Sequence, residues 1–391
     1  MNFESLSIVL FLTVLGVLVI MDRKNIEFKF FMITRRTKKG KNKIREIGLR
    51  HAKAFKVYAS IAIIVAIIAS LVGMGFLLKN LTLGEPGVKF LLPKIFPGEP
   101  SEGVQKHVAF IPLWYWIITI FIIIVPHELS HGFVAAAEKI RIKSLGLILF
   151  LIFPGAFVEP DEDQFRKSRP STRMKVAAVG SFANFLVFLL LLGVIFGMSV
   201  IVPKIFVANG VVFSQTIAGM PAEAVGLRGI ITEIQGQEVR SVDDLSEILA
   251  SAAPGTEIDI RTTEGLFTVK TVENPDLEGQ SFIGVSDVST KLIYRDSFRS
   301  LGNPETGARI FFWFFNLFNW AAFLDINIAI ANLLPLLPLD GGLIYQALLE
   351  KVFRKDVANK VIVGLSIFTF AVLILNIIGM GKIISLVSLF L

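Results

Sequence analysis

Cysteine is absent from the 391 residues, and histidine occurs only four times, as His51, His107, His127 and His131. Without cysteine the chain can have no disulfide framework, no thiolate metal site and no cysteine nucleophile. Charge is scarce as well, since 18% of the residues are charged, whereas soluble domains average roughly a quarter. The deficit falls in long uncharged blocks, each near the roughly 20 residues that a bilayer-spanning helix needs. The composition therefore predicts an integral membrane protein.

The net charge of +7 does not indicate a nucleic-acid partner, because most of the excess lies beside the apolar blocks. Residues 22–56 contain thirteen Lys or Arg, against four in residues 79–111. Basic loops stay on the cytoplasmic side, so we expect 22–56 inside and the N-terminus outside, in a multi-pass protein of the cell membrane. The first residues lack the positive start and small-residue cleavage site of a secretory signal, so the apolar run 6–21 is expected to be a retained span.

Six apolar segments are long enough to be spans, and a seventh is shorter. The predicted spans are 5–21, 57–78, 112–138, 176–202, 310–336 and 361–380. The shorter stretch, 144–158, contains Pro154 and Gly155 near its end and has basic residues on both flanks. Non-helical backbone is tolerated at membrane depth only where it is buried in protein or lines a wet cavity. We therefore expect a re-entrant hairpin here, next to a cavity.

Residues 205–300 differ from the rest because their hydropathy falls and short β-type runs alternate with turn residues. Those runs are 211–213, 230–234, 258–261 and 267–269, and a helical pattern at 242–250 follows a Ser241 cap. They predict a small soluble α/β domain outside the cytoplasm. The predicted divisions are an N-terminal span pair with its basic loop (1–78), two parts of a membrane core (79–204 and 301–391) and the soluble domain (205–300).

The strongest chemical signal is His127-Glu128-Leu129-Ser130-His131. On a helix, residues i and i+4 share a face, so both imidazoles can reach one metal ion. Glu128 lies about 100° round the helix, close enough to act on a water at the metal rather than to ligate it. Ionisable residues in the middle of a membrane span are costly and by default functional. The motif predicts one zinc ion per chain, with His127 and His131 as ligands and Glu128 as general base and acid.

A catalytic zinc usually has a third protein ligand. Ala137 stands six residues after His131, where some such motifs have a third histidine, and the two remaining histidines fall in loops on opposite sides. A carboxylate is therefore expected, and Asp340 is favoured over Asp325. Asp340 lies in Asn-Leu-Leu-Pro-Leu-Leu-Pro-Leu-Asp-Gly-Gly at 332–342, whose prolines and glycines break a membrane helix, and broken helices typically build sites in membranes. Asp340 could instead cap a loop beyond a span, and Asp325 could lie in an interface or a polar cavity.

Five other carboxylates are set aside, because they lie at a helix end or in a basic, solvated loop: Glu138, Glu159, Asp161, Glu162 and Asp163.

These motifs together resemble those of the site-2 protease family of intramembrane metalloproteases. The likeness covers the His-Glu-x-x-His-Gly segment at 127–132 and the Asn-x-x-Pro…Leu-Asp-Gly-Gly segment at 332–342. The resemblance implies that the two histidines and Asp340 bind zinc, that Glu128 is the catalytic acid and base, and that peptide bonds in or near transmembrane helices are cut. It also implies that the hairpin at 144–158 presents the substrate. The biological use would be regulated intramembrane proteolysis or clearance of signal-peptide remnants.

A third element of that family, Gly-Pro-x-x-Asn, resembles Gly180-Ser181-Phe182-Ala183-Asn184, in which Ser181 replaces the proline. By this resemblance Asn184 is a candidate for holding the substrate backbone or stabilising an oxyanion, and Asn332 is a second candidate. An asparagine within a span can also simply tie two helices together.

The soluble segment resembles a PDZ domain at 220–227 and 234–239, although the usual Pro-Gly-Asp turn is shortened to Arg228-Gly229. PDZ domains bind peptide termini or strands by strand addition. The resemblance implies a peptide terminus as a partner, besides the lipid bilayer and transmembrane protein or peptide substrates. A steric gate that binds no peptide is the other interpretation.

The fold expected is thus a mainly α membrane protein of about six transmembrane helices and a re-entrant hairpin, with one small α/β PDZ-like soluble domain. The function expected is that of an intramembrane zinc metalloprotease. A non-enzymatic transporter or metal-binding scaffold would also explain His and Asp residues in mid-membrane. It would not explain why Glu128 adjoins His127 or why a peptide-binding-like domain is attached, and transporters often show repeated halves, which this sequence does not.

Overall fold

The computed structural model describes residues 3–29, 32–83, 87–94, 102–150, 153–275, 277 and 279–379. They form two compact units, one of Met1–Val194 with Leu317–Leu391 and one of Ile195–Asn316. We call these the helical unit and the β unit.

The elements up to residue 205 belong mainly to the helical unit. Its helices there are α1 (Phe3–Met21), α2 (Lys41–Arg50), α3 (Ala52–Leu81), α4 (Glu102–Gln105), α5 (Leu113–Ala137), α6 (Glu162–Lys167) and α7 (Pro170–Ile205). Its strands are β1 (Ile26–Lys29), β2 (Met32–Thr37), β3 (Phe90–Lys94), β4 (Val108–Pro112), β5 (Ile142–Phe150) and β6 (Phe153–Pro160).

The β unit follows, and the chain then returns to the helical unit. The next strands are β7 (Phe206–Val212), β8 (Gln215–Thr216), β9 (Ile231–Ile234), β10 (Gln237–Glu238), β11 (Glu257–Thr262), β12 (Gly265–Lys270), β13 (Val272–Glu273), β14 (Ser281–Phe282), β15 (Val285–Ser286) and β16 (Ser289–Tyr294). The remaining helices are α8 (Pro221–Ala224), α9 (Val242–Ser251), α10 (Pro304–Asn332), α11 (Asp340–Leu349) and α12 (Lys355–Ile378).

Five of the described helices, α3, α5, α7, α10 and α12, are long and apolar enough to cross a membrane. Each contains one of the predicted spans or most of it. The remaining predicted span, 5–21, falls in α1, which has 19 residues. Residue 380, the predicted end of the last span, lies outside the described residues.

Small residues face the interior of the helical unit, and large apolar residues face outward. On α3, Ala59, Ala62 and Ala66 are at most 2% exposed, whereas Ile64 on the same helix is 62% exposed. On α12, Ile367 is 66% exposed. Small inward residues let membrane helices approach closely, because lipid already solvates the large side chains. This pattern is typical of a membrane protein and the reverse of a soluble bundle.

An antiparallel hairpin lies at the stretch 144–158, where β5 and β6 pair from Ile142↔Pro160 to Phe150↔Phe153, and its re-entrant position in a membrane stays a prediction. Its tip, 151–152, lies outside the described residues. The hairpin belongs to a four-stranded sheet of order β1-β2-β5-β6, which leaves β6 as an edge strand. The edge strand β6 lies against α5.

The segment 22–56, predicted only as a basic connection between two spans, contains the regular elements β1, β2 and α2. β2 pairs with β5 over six residues, and Ile44 of α2 is buried against the C-terminal half of α5. The strands could not be predicted from this basic segment alone. Strand formation depends more on the partner strand than on the intrinsic preference of the residues. The basic segment therefore folds onto the helix that contains the His-Glu-x-x-His motif.

The β unit has a core of its own around Val211, Ile231, Ile234 and Ile260, each fully buried. Its largest sheet has the order β12-β11-β9-β7-β16, with β10 paired to β9. The strands expected from the sequence are confirmed in β7, β9, β11 and β12, except that Phe213 and Ile230 lie just outside β7 and β9. The predicted cap of α9 is also confirmed, since Ser241 Oγ accepts a hydrogen bond from the Asp244 amide at 3.2 Å.

Candidate metal centre

His127 and His131 are brought together by α5, a continuous helix from Leu113 to Ala137. Their Nε2 atoms are 3.1 Å apart. This is the proximity expected for side chains one turn apart on the same face of a helix.

Asp340 completes the cluster from a distant part of the chain. Its Oδ2 lies 3.3 Å from His127 Nε2 and 3.4 Å from His131 Nε2. Two ligands at about 2.1 Å from a tetrahedral zinc lie about 3.4 Å from each other. The three donor atoms therefore fit one zinc ion at three corners of a tetrahedron, with the fourth corner open. These residues form the one group of three or more potential metal ligands among the described residues.

The break after α10 positions Asp340. The chain turns at 333–339 and restarts as α11, whose first residue is Asp340. The helix N-terminus favours a carboxylate there. A Cβ on Gly342 would lie 2.7 Å from the Leu336 carbonyl oxygen, so the turn can pack on α11 only without a side chain. The Asn332 amide nitrogen donates to Asp340 Oδ2 at 2.8 Å and lies 3.4 Å from His127 Nε2.

The orientation of the His131 ring is set by α7. His131 Nδ1 lies 2.6 Å from the Val176 carbonyl oxygen, which can only accept, so the proton is assigned to Nδ1. That tautomer leaves Nε2 with a free lone pair toward the cluster, which is the usual support for a metal-binding histidine. Sequence reasoning missed this contact, because a backbone carbonyl has no signature in the sequence.

Gly180 of α7 closes one side of the cluster. A Cβ on Gly180 would lie 2.6 Å from both Cε1 and Nε2 of His127 and would also collide with His131 Nε2. Only glycine leaves room for an ion between the imidazoles and α7. Sequence analysis noted Gly180 as part of a motif but did not explain why a glycine is needed at this position.

Glu128 lies beside the cluster rather than in it. Its Oε2 accepts a hydrogen bond from the Val158 amide of β6 at 2.9 Å. The bond ties the carboxylate to the edge strand and leaves Oε1 as its second acceptor. This contact, too, has no signal in the sequence.

Asn184 is placed near the centre but not bonded to it. It follows Gly180 by one helical turn, is fully buried, and neither of its side-chain polar atoms has a hydrogen-bond partner among the described residues. Asp325, the competitor for the third ligand position, lies elsewhere on α10 and is also fully buried.

Four of the five carboxylates that sequence analysis set aside have other partners, among them Glu162, which pairs with Arg166. Glu138 pairs with Lys175 at 3.0 Å, and Glu159 accepts a hydrogen bond from Ser144. Asp161 caps α6, and the Gln164 amide that donates to it holds the pKa of this carboxyl below its usual range, with Lys143 adding to the effect. They are therefore engaged in local structure.

The chain is similar to known proteins over much of its length. The family model described as Peptidase family M50 matches residues 115–376, which run from α5 to the end of α12. An uncharacterized protein of Methanocaldococcus jannaschii is 27% identical over 319 residues, covering 81% of this chain and 77% of its own length. A protein of Clostridium perfringens with the name "Putative zinc metalloprotease" is 25% identical over 319 residues, covering 64% of this chain and 91% of its own length.

The match spans about two thirds of the chain and includes both histidines, the adjoining glutamate and the distant aspartate. The described residues also include a His-His-Asp cluster whose donor atoms fit zinc, and five helices long and apolar enough to cross a membrane. This chain belongs to peptidase family M50, the site-2 protease family.

Proposed function

We propose that this chain is an intramembrane zinc endopeptidase that hydrolyses peptide bonds within or near the transmembrane helices of membrane-protein substrates. The proposal rests on one observation: three ligand atoms 3.1–3.4 Å apart have a glutamate beside them, on a helix long and apolar enough to cross a membrane. The biological use would be regulated intramembrane proteolysis or clearance of signal-peptide remnants.

His127, His131 and Asp340 would hold the ion. Zinc, when bound, supplies a Lewis acid that polarises a carbonyl and lowers the pKa of water. Glu128 takes the proton of the attacking water and then gives it to the leaving amine nitrogen, so a single carboxylate acts first as base and then as acid. The Val158 amide orients Glu128 during both transfers, and the Val176 carbonyl holds the proton of the neutral His131 ring on Nδ1.

The substrate helix must unwind locally, because its own hydrogen bonds shield the scissile carbonyl. The unwound stretch then has unsatisfied amide and carbonyl groups, which are costly in a membrane. We assign two groups to hydrogen-bond this unwound stretch. They are the outer edge of β6, next to Glu128, and the side-chain amide of Asn184. Asn332 holds Asp340 in place and is a further candidate for contacting the reacting carbonyl.

The β unit is proposed to be an extracytoplasmic PDZ-like domain that binds a peptide terminus or restricts access to the membrane site. The likeness at 220–227 and 234–239 supports this, together with a sheet and one capped helix, α9, around a separate core. The orientation, with the N-terminus outside the cytoplasm, follows from the basic residues of 22–56.

The decisive test uses the full chain in detergent with a set of model transmembrane-helix substrates. Wild type is compared with Glu128→Gln and with Glu162→Gln, which removes an exposed carboxylate of α6. Zinc content is measured in each, and activity is followed after chelation and zinc return. We expect zinc-dependent cleavage by wild type and Glu162→Gln, and no cleavage by Glu128→Gln in spite of bound zinc.

The opposite results are equally informative. Cleavage that survives chelation, or that persists in Glu128→Gln, would contradict the proposal. Zinc binding with no cleavage of any helix would favour a metal-binding scaffold or a transporter.

A further inference from the structure

Asp325 is an acidic residue that the proposed mechanism does not use. It lies in α10, is 0% exposed, and neither carboxylate oxygen has a hydrogen-bond partner among the described residues. An unpaired carboxyl group is costly in an apolar interior. A side chain of this kind in a membrane span is a candidate functional group.

The position of Asp325 relates it to the metal centre. Asn332 contacts His127 and Asp340 and follows Asp325 by seven residues on the same helix. Seven residues are nearly two complete turns, so both side chains start from the same face of α10, about 10 Å apart along its axis.

Two other buried polar side chains also lack a hydrogen-bond partner among the described residues. Thr119 of α5 and Asn184 of α7 are each 0% exposed, and their side-chain polar atoms have no hydrogen-bond partner within the described part of the chain. Thr119 precedes His127 by eight residues, and Asn184 follows Gly180 by four. Asn184 therefore lies about one turn, and Thr119 just over two turns, from the metal centre along its own helix.

All three residues are displaced toward the same end of the helical unit. Glu138 at the end of α5 pairs with Lys175 near the start of α7, whereas His127, three turns earlier on α5, lies against Gly180, further along α7, so the two helices are antiparallel. α10 is parallel to α5, because Asn332 lies 3.4 Å from His127, whereas Leu324, earlier on α10, belongs to the apolar cluster of Trp116, Ile120 and Ile123, earlier on α5. Thr119 and Asp325 lie on the N-terminal side of the metal centre on α5 and α10, and Asn184 lies on its C-terminal side on α7. All three residues are therefore displaced from the metal centre in the same direction.

We propose that Asp325 is a specificity-determining residue that binds a hydrogen-bond-donating side chain of the substrate, such as lysine or glutamine. The inference rests on the proposed function. Both oxygens of a carboxylate accept hydrogen bonds, so a donating side chain of the substrate would supply the partner that Asp325 lacks among the described residues. At about 3.3 Å per residue of extended chain, a distance of about 10 Å places this donor about three residues from the scissile bond. Thr119 and Asn184 supply further polar contacts along that stretch.

The experiment scans a model substrate helix with single Lys, Gln or Leu substitutions at each position within five residues of the scissile bond. Cleavage is measured with wild type, Asp325→Leu and the isosteric Asp325→Asn. Binding is measured separately by crosslinking in a Glu128→Gln background, so that one readout does not depend on activity. Thr369→Val is the matched control, because Thr369 of α12 is also 0% exposed with an unpartnered hydroxyl among the described residues.

We expect wild type to prefer Lys or Gln over Leu at one position, about three residues from the scissile bond. For the preferred substrate, KM and the dissociation constant should both be lower by about tenfold or more than for the Leu substrate, as expected for a hydrogen bond to a charged group. Asp325→Leu should lose the preference at that position alone. Asp325→Asn should lose it for Lys and keep part of it for Gln, and Thr369→Val should keep both.

The inference is overturned if wild type cuts the helices without positional preference or if Asp325→Leu retains the preference. It is also overturned if Asp325→Leu slows cleavage of every helix equally, since that result indicates a structural role or an ion site. If wild type cuts no helix, the proposed function fails, and the crosslinking series still decides whether Asp325 selects a donor.

Discussion

The backbone amide of Val158 donates a hydrogen bond to Glu128 Oε2 at 2.9 Å, which joins the edge strand of the sheet to the proposed catalytic carboxylate. The Val158 amide therefore points outward from β6, away from β5. Successive amides of a β-strand point alternately to its two edges. The residues of β6 whose amide positions face away from β5 are therefore 154, 156, 158 and 160. Two of these are Pro154 and Pro160, which have no N–H, so β6 has only two outward donors.

This relationship predicts that the amide of Val158, rather than its side chain, supports catalysis. Val158→Pro should lower kcat by about 10–100-fold, because a hydrogen bond to a charged group contributes about 1.5–3 kcal/mol. Zinc content should not change, since Glu128 is not a ligand. Val158→Ala keeps the N–H and should stay close to wild type. Equal rates for Val158→Pro and Val158→Ala would contradict a role for the amide.

Gly180 provides a test of the metal centre that leaves every ligand in place. Gly180→Ala puts a Cβ 2.6 Å from His127 Nε2, in the space that an ion needs, so zinc per chain should fall close to zero. Gly193→Ala is the control on the same helix, because a Cβ there meets nothing within 4 Å. Metal analysis of the purified variants checks this. Full zinc occupancy in Gly180→Ala would mean that the ion does not lie between the imidazoles and α7.

The pair Arg173–Glu350 joins the beginning of α7 to the end of α11, the helix that begins with Asp340. Arg173 Nη1 lies 3.1 Å from Glu350 Oε1, and both side chains are about 90% buried. Removing one partner of a buried pair costs about 3–5 kcal/mol, whereas replacing both by apolar residues costs far less. Arg173→Met should thus unfold more easily than the double variant Arg173→Met/Glu350→Leu.

Denaturant titration of the full chain in detergent checks this double-mutant cycle. The exposed pair Arg166–Glu162 of α6 is the control, and Arg166→Met should change the free energy of unfolding by less than about 1 kcal/mol. Additive effects of Arg173→Met and Glu350→Leu would show that the two side chains do not interact.

The cap of α9 predicts a pH dependence for the β unit. The backbone amides of Arg240 and Ser241 both donate hydrogen bonds to the Asp244 carboxylate and lower its pKa, and the Arg240 amide has the larger effect. Because the folded-state pKa is below the unfolded value of about 3.9, this stabilisation is complete above about pH 4 and is lost as the pH falls through the folded pKa.

Hydrogen exchange of α9, corrected for intrinsic rates, measures this effect. Protection should decrease from pH 5 to pH 3 in wild type, and Asp244→Asn should remove most of that decrease. Asp243→Asn, a change at the adjacent residue, is the control. Ser241→Ala should weaken α9 by about 1 kcal/mol at neutral pH. Protection that is independent of pH in wild type would contradict the cap as its source.

The sequence by itself determined the elements and the chemistry that depend on local spacing. Membrane-length helices follow from long apolar runs, because the bilayer requires about 20 such residues. His127, Glu128 and His131 could be read as one functional group, because five consecutive residues of a helix fix their relative positions. The Ser241 cap of α9 is local in the same sense. Asp340 could be proposed from the helix-breaking residues around it and from the resemblance, but not from spacing.

Tertiary structure decided everything that depends on two distant segments meeting. The approach of Asp340 to the two imidazoles, the Val176 carbonyl behind His131 and the Val158 amide on Glu128 each join residues far apart in the chain. Two of these three partners are backbone groups, which every residue possesses and which no motif reveals. The strands in 22–56 stayed hidden for a related reason, because β2 is stabilised by pairing with β5, more than a hundred residues later.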